Sequence, residues 1–257
     1  AMTDPTAAPL VRRTVEGAVA TLTLDSPHNR NALSTRLMDE LEQGLAEAAE
    51  DPAVRAVVLT HTGKVFCAGA DLSEATSGDP TAGPRRLVRI LRAVVECPKP
   101  VVARADGHVR AGGLGLLGAC DIAVAGPAAT FAFTEVRLGL APAVISLPLR
   151  PRLDPRAASR YYLTGETFDA AEAVRIGLVT VAAEDTGAAL EPILEALRLA
   201  SPQGLAESKR LVAADVLRSF DQDGEDRVAA SALLFGSAEA REGMTAFLER
   251  RPPSWAR

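Results

Sequence analysis

The residue types with the most chemistry in them here are glycines. The stretch AGGLGLLGACD, Ala111 to Asp121, contains G-x-G-x-x-G as Gly113, Gly115 and Gly118, and an acidic residue, Glu135, follows it. On spacing alone this is the dinucleotide-binding fingerprint, in which glycines let the backbone approach a pyrophosphate at a helix N-terminus. That chemistry needs a strand running straight into the first glycine and an acid closing the next strand. Here the strand of PVVARADG ends near Ala105, DGHVRA intervenes, and Glu135 lies one strand too late, beyond Gly126-Pro127. A nicotinamide or flavin site is therefore not expected.

The same physics has a second use. Gly112-Gly113 opens a short apolar helix, whose unpaired N–H groups and positive dipole end face whatever lies in front of it. FCAGAD, Phe66 to Asp71, is a second glycine turn after a buried strand. Two N–H donors converging on one oxygen would make an oxyanion hole, each worth on the order of 3 kcal/mol in a transition state. The glycines by themselves are equally compatible with two tight turns of no catalytic use.

Other reactive types are sparse. Cys67, Cys97 and Cys120 have neither C-x-x-C nor Cys/His metal spacing and no adjacent His, so they read as reduced, buried thiols. His28 and His61 lack ligand spacing, and no metal is expected. No G-x-S-x-G occurs, and no Ser or Thr follows Gly63-Lys64 to complete a P-loop. RRLVRILR, residues 85 to 92, is locally basic, but its spacing gives a helix with an apolar inner face and a solvated arginine face. With a net charge of −5 and interspersed signs, neither nucleic acid nor an anionic membrane is an expected partner.

These residues must be held by a substantial core. The chain has 257 residues, 47% hydrophobic and only 4% aromatic, so an Ala- and Val-rich interior is expected. RTVEGAVATLTLD reads as a hairpin about Glu16-Gly17, LSTRLMDELEQGLAEAAED as a helix capped by Ser34, and VRAVVLTHTG as a buried strand. RRLVRILRAVVEC is helical, PVVARADG and DIAVAGP are strands, and ATFAF is a short one. Such alternation describes an α/β fold with a largely parallel sheet. Residues 73 to 85 are the expected surface loop. The rest is mostly helical: PRAASRYYLTG, DAAEAVRIG, LEPILEALRLA, PQGLAESKRLVAADVL and AEAREGMTAFLERR. Residues 1–197 are expected to form the core and 198–257 a helical C-terminal region. The start of the chain lacks the charged and apolar regions of a signal peptide and no apolar run is long enough to span a bilayer, so a cytoplasmic location is expected.

Five stretches in order, RNALS (Arg30 to Ser34), FCAGADLSE (Phe66 to Glu74), ADGHVRAGGLGLLGACDIAVA (Ala105 to Ala125), FTEVRLGL (Phe133 to Leu140) and REGMTAFLERR (Arg241 to Arg251), resemble the enoyl-CoA hydratase/isomerase family, the crotonase superfamily. The resemblance implies stacked ββα units with a C-terminal helical region, assembly as a homotrimer or dimer of trimers, and action on acyl-CoA thioesters in fatty acid metabolism. Coenzyme A would be part of the substrate, and no separate cofactor is implied. It implies that the Ala70 and Gly112 amides hold the thioester oxygen. Backbone around Ala68, Asp71 and Leu72, with the segment His28 to Arg30, would cradle the adenine end of coenzyme A. Phe247 and Arg250 would contact it, often from a neighbouring subunit.

Hydratases of this family usually carry two carboxylates. Glu135 matches the later one, whereas the position of the earlier one is Gly115. GGLGL, ACDIAVA and TEVRLGLAPAVIS are similar to bacterial hydratases of branched or carboxylated enoyl-CoAs, including methylglutaconyl-CoA-like proteins, so a hydratase with water handled by Glu135 is expected. A single-Glu Δ3,Δ2-enoyl-CoA isomerase and a non-catalytic acyl-CoA binder are the alternatives. His108 and Arg110, just before Gly112, could recognise a carboxylate on the acyl group, or point outward to a surface acid.

Overall fold

The computed structural model describes residues 7–74 and 78–256. Val11–Glu16 (β1) and Val19–Leu24 (β2) form the expected antiparallel hairpin. The Ser34 hydroxyl accepts from the Leu37 amide at 3.2 Å and starts Thr35–Glu50 (α1), which buries the Leu37, Leu41, Leu45 stripe. From there the chain repeats one path. Ala56–His61 (β3) joins a large sheet, Val65–Cys67 (β4) joins a small one, and Ala82–Glu96 (α2) follows. Val101–Ala105 (β5), His108–Arg110 (β6) and Gly112–Ala119 (α3) repeat this. So do Ile122–Ala125 (β7), Thr130–Ala132 (β8) and, after a 3-10 turn at Thr134–Leu138, Ser146–Leu149 (α4).

Pro155–Thr164 (α5), Phe168–Asp169 (β9), Ala170–Arg175 (α6), Val181–Ala182 (β10) and Thr186–Leu199 (α7) close the two sheets. Pro202–Val212 (α8), Ala214–Phe235 (α9) and Ala238–Leu248 (α10) complete the chain. The large sheet has six strands in the order β1-β2-β3-β5-β7-β10, and the small one four in the order β4-β6-β8-β9. Each pass of the chain thus adds one strand to each sheet. The units are ββα, as the family resemblance implies; periodicity alone reads βαβ because the three-residue strands β4 and β6 are too short to show a period-two pattern.

Alternation along the large sheet sorts its side chains into two cores. Val57 and Leu59 of β3 join the main core, while Ala56 and Val58 pack with Val102 and Val124 against Leu190 and Leu194 of α7. Two other expectations shift. Residues 82–85 belong to α2 rather than to the surface loop, since Pro84 in a first turn costs no hydrogen bond; positions 75–77 of that loop lie outside the described residues. PQGLAESKRLVAADVL divides at Ala213, and α9 runs on through DQDGED. Its buried residues, Val216, Phe220, Gly224 and Val228, recur every fourth position beneath that polar stretch.

The C-terminal helices are fastened to the core by one buried ion pair. Lys209 Nζ lies 2.8 Å from Asp121 Oδ2, with the two side chains 5% and 11% exposed. It also donates to the Val94 and Lys99 carbonyls at 2.9 and 3.1 Å, and Asp121 Oδ2 accepts from the Val101 amide at 2.8 Å. Breaking such a pair strands a buried charge. Lys209→Met is expected to lower the unfolding free energy by about 3–5 kcal/mol in urea titrations, and adding Asp121→Asn to recover part of it. A loss below about 1 kcal/mol would show that α8 is anchored elsewhere.

Candidate active site

Three neighbouring strands of the small sheet run parallel. Cys67 pairs with Val109, Val109 with Phe131, and Arg110 with Ala132. Their exits therefore lie at one level and bring together residues 68–70, 111–113 and 133–135, which are far apart in sequence. The first two turns touch: a Cβ at Gly69 would stand 3.0 Å from the Gly112 nitrogen and 2.9 Å from Ala111 Cβ. Gly69 also has φ +91°, so glycine is needed there on both counts. Ala111 is held at φ +47°, ψ −118°, a sparsely populated conformation for a residue with a Cβ, directly before Gly112.

Neither the Ala70 nor the Gly112 amide donates to a protein acceptor among the described residues. Gly112 is the first residue of α3, where no intrahelical partner exists. The loop 30–33 fixes the Ala70 turn: the Ala68 amide donates to the Arg30 carbonyl at 3.1 Å, and the Leu33 amide to the Gly69 carbonyl at 2.8 Å. That loop is held by a residue the sequence motif did not single out. Asn31 is fully buried, accepts from the Ser26 amide at 2.7 Å, and donates to the Thr62 and Val65 carbonyls at 3.1 and 2.8 Å. Arg30 and Asn31 both adopt positive φ, which a short polar side chain tolerates best.

Glu135 sits in the 3-10 turn after β8 and is 8% exposed. Its Oε2 is buried without a partner, and burial pushes its carboxyl up to about 7. Helix α10 braces this turn: a Cβ at Gly243 would lie 2.4 Å from the Leu138 carbonyl oxygen, and one at Gly139 2.7 Å from that of Glu239. The cluster so assembled, two unpartnered amides and a carboxyl poised near neutrality, can polarise a carbonyl and move a proton beside it.

Ala68 is half-buried beside Ala70, as are Asp71 and Leu72 just after it. The Asp71 carboxylate accepts from the Ser73 amide at 3.0 Å and from its hydroxyl at 2.6 Å, so it shapes the turn. His28 and Arg30 are exposed at the rim of the 26–31 loop. Phe247 and Arg250 are exposed at the end of α10, with no hydrogen bond or ion pair to the cluster among the described residues. His108 opens β6 and Arg110 ends it, but both side chains turn to the start of β8. The Arg110 guanidinium turns back to donate to the Thr130 carbonyl at 2.8 Å and hydroxyl at 2.9 Å, and His108 Nδ1 meets the same hydroxyl at 2.7 Å. Thr130 opens β8, whereas Glu135 follows its end, and among the described residues Arg110 has no ion pair with an acid. Thr130 borders a shallow basin of about 940 Å3 whose lining holds the ion pairs of Arg160 with Glu166 and Arg175 with Glu172, and Asp169, which accepts from the Glu172 amide.

The fingerprint glycines prove to be contact points. A Cβ would stand 2.5 Å from the Cys67 carbonyl oxygen at Gly113, 2.4 Å from Ile145 Cγ2 at Gly115, and 2.2 Å from Leu149 Cδ2 at Gly118. Gly113 thus lets α3 lie on β4, while Gly115 and Gly118 admit α4. The space beside Gly115 is occupied by Ile145. The cysteines are inert: burial pushes the Cys67 and Cys120 thiols up to about 12. The arginines of α2 are paired with acids, Arg86 with Asp39, Arg89 with Glu42, Arg92 with Asp221 and Arg85 with Glu225.

The family described as enoyl-CoA hydratase/isomerase matches residues 14–257. A solved enoyl-CoA hydratase from Mycobacterium avium is 56% identical, covers 97% of this chain and 100% of its own, and superposes with a TM-score of 0.92. A carnitinyl-CoA hydratase from the same organism is 29% identical over 97% of this chain and 99% of its own, with a TM-score of 0.86. A Bacillus subtilis protein named "Probable enoyl-CoA hydratase" is 32% identical over 249 residues, 94% of this chain and 96% of its own.

Two outcomes are expected from this geometry. Glu135 keeps its proton in the folded state up to about pH 7, whereas the unfolded chain releases it near the ordinary glutamate value. Stability must therefore fall as pH rises through that window. Glu135→Gln lacks the penalty and should exceed the parent by on the order of 3 kcal/mol at pH 8 and by far less at pH 5 in urea unfolding; an equal difference at both would refute the assignment. Gly115→Glu should lower stability by about 2 kcal/mol or more, with partial recovery on adding Ile145→Ala, read as shifts in Tm.

Proposed function

The chain belongs to the enoyl-CoA hydratase/isomerase family and is enoyl-CoA hydratase-like, and from that premise we propose that it adds water to, or removes it from, an enoyl-CoA thioester through an enolate. The observation that supports this reading best is the buried, unpartnered Glu135 carboxyl at the same strand exits as the free Ala70 and Gly112 amides. We assign the amides to the thioester oxygen. As the water oxygen bonds to C3, the C2=C3 electron pair moves toward the thioester oxygen, where two fixed N–H donors offset the growing charge without reorganising.

One carboxyl serves both proton transfers in this scheme. Ionised Glu135 takes the proton released by the water and returns it to C2, so both additions occur from its side. A pKa near the working pH suits a group that must accept and then donate. We further assign backbone at Ala68, Asp71 and Leu72 and the segment His28 to Arg30 to the adenine end of coenzyme A, with Phe247 and Arg250 contributed across a subunit boundary. In this proposal residues 198–257 serve assembly into a homotrimer or dimer of trimers. Exposed Leu211, Val212, Leu233, Leu248 and Trp255 in that region support it, as apolar surface in need of cover. No helix among the described residues is long and apolar enough to cross a membrane. Cytoplasmic fatty acid metabolism is the proposed setting.

Incubating the protein with crotonyl-CoA, a 3-enoyl-CoA and 3-methylglutaconyl-CoA, followed by product analysis, tests the assignment. Hydrated product is expected from the first or third, with Glu135→Gln lowering kcat by roughly 10²- to 10⁴-fold at nearly unchanged KM. Migrated double bonds alone would overturn hydration, and full activity in Glu135→Gln would overturn the acid–base role.

A further inference from the structure

Three buried side-chain oxygens have no hydrogen-bond partner among the described residues: Asp121 Oδ1, Glu135 Oε2 and the Tyr162 hydroxyl. Asp121 belongs to the Lys209 anchor, and Glu135 is the proposed acid–base group. Tyr162 has had no role so far. It lies on α5, whose C-terminal end abuts the segment carrying Glu135: a Cβ at Gly165 would be 3.1 Å from the Phe133 carbonyl oxygen and 3.2 Å from Val136 Cγ1. The Tyr162 ring packs on Phe133, two residues before Glu135, with centroids 4.6 Å apart.

The contrast with the adjacent tyrosine is informative. Tyr161 donates to Glu172 Oε1 at 2.6 Å and is satisfied within the fold. Tyr162 would pack as well without its oxygen, and a buried hydroxyl left unpaired costs about 1–3 kcal/mol. The phenol is therefore a net loss to the free protein unless something polar meets it when substrate is bound.

We propose that Tyr162 is the second polar contact for the reacting water, supplying from α5 what the α3 position of Gly115, filled by Ile145, cannot. This rests on the hydratase reading above. The water donates one hydrogen to the Glu135 carboxylate, and the Tyr162 O–H donates to the water oxygen, leaving a lone pair aimed at C3. When the C3–O bond forms, the released proton passes to Glu135 and then to C2, and the C2=C3 pair shifts toward the thioester oxygen. Tyr162 starts and finishes protonated. Its environment keeps it so: burial and the Glu135 carboxylate push the phenol up, outweighing the opposite pull of Arg150 and Arg227.

Tyr162→Phe retains the ring on Phe133 and removes only the oxygen. The expected result is a kcat for hydration about 10- to 100-fold lower with KM within about twofold, and a displaced Glu135 limb in the pH profile of kcat/KM. A second measurement does not depend on turnover: the Glu135 carboxyl stretch, isolated by infrared difference against Glu135→Gln, should titrate at a different pH in Tyr162→Phe. Unchanged kcat with unchanged carboxyl titration would overturn the proposal. So would a kcat loss that tracks a lowered Tm while the titration stays fixed, since that is a packing defect. If the parent protein hydrates none of the thioesters, the hydratase reading falls, and the carboxyl titration alone decides whether Tyr162 and Glu135 share a polar contact.

Discussion

The parallel pairing of β4, β6 and β8 is the constraint from which the site follows. Because Cys67, Val109 and Phe131 lie abreast, the chain must leave all three strands at one edge, and whatever residues come next are neighbours. Parallel strands need a crossover between each pair. Here the crossover passes through the large sheet as well, so the short strands are held in place by long ones that carry most of the apolar burial. Three-residue strands could not fix a catalytic geometry alone. Their register is borrowed from β3, β5 and β7, which pair with one another in the same order.

Close backbone approach is the second theme. Gly69 lets two turns meet, Gly113 lets α3 rest on β4, and Gly115 with Gly118 lets α4 rest on α3. The last of these contacts has a chemical result. With Ile145 seated against Gly115, the wall of α3 facing α4 is apolar, and under the proposed reaction the polar roles are left to Glu135 and the amides. Low dielectric around a lone carboxyl is also what raises its proton affinity, so packing and reactivity are set by the same side chains.

Much of this is legible in the sequence. The hairpin, the Ser34 cap, α1, β3, α2, β5 and β7 follow from periodicity and punctuation, and the failure of the dinucleotide spacing pointed correctly to a helix N-terminus at Gly112. What stayed hidden has physical causes. β4 and β6 are too short to alternate, and α9 carries DQDGED on its wet side, which masks the apolar face. Arg110 is two residues before Gly112, and only the placement of the neighbouring strand reveals that its guanidinium reaches back to Thr130. Asn31 and Tyr162 gave no signal of their own, because a polar residue in a loop and a tyrosine on an amphipathic helix are ordinary until their surroundings are known.

The joint between α10 and the 135–139 turn is made of main chain on main chain. Gly243 meets the Leu138 carbonyl and Gly139 meets Glu239, with no flexible side chain between them to absorb displacement. Such a joint behaves as a hard stop. Displacing α10 must therefore displace the turn that carries Glu135, so the placement of that carboxyl is tied to the packing of the last helix.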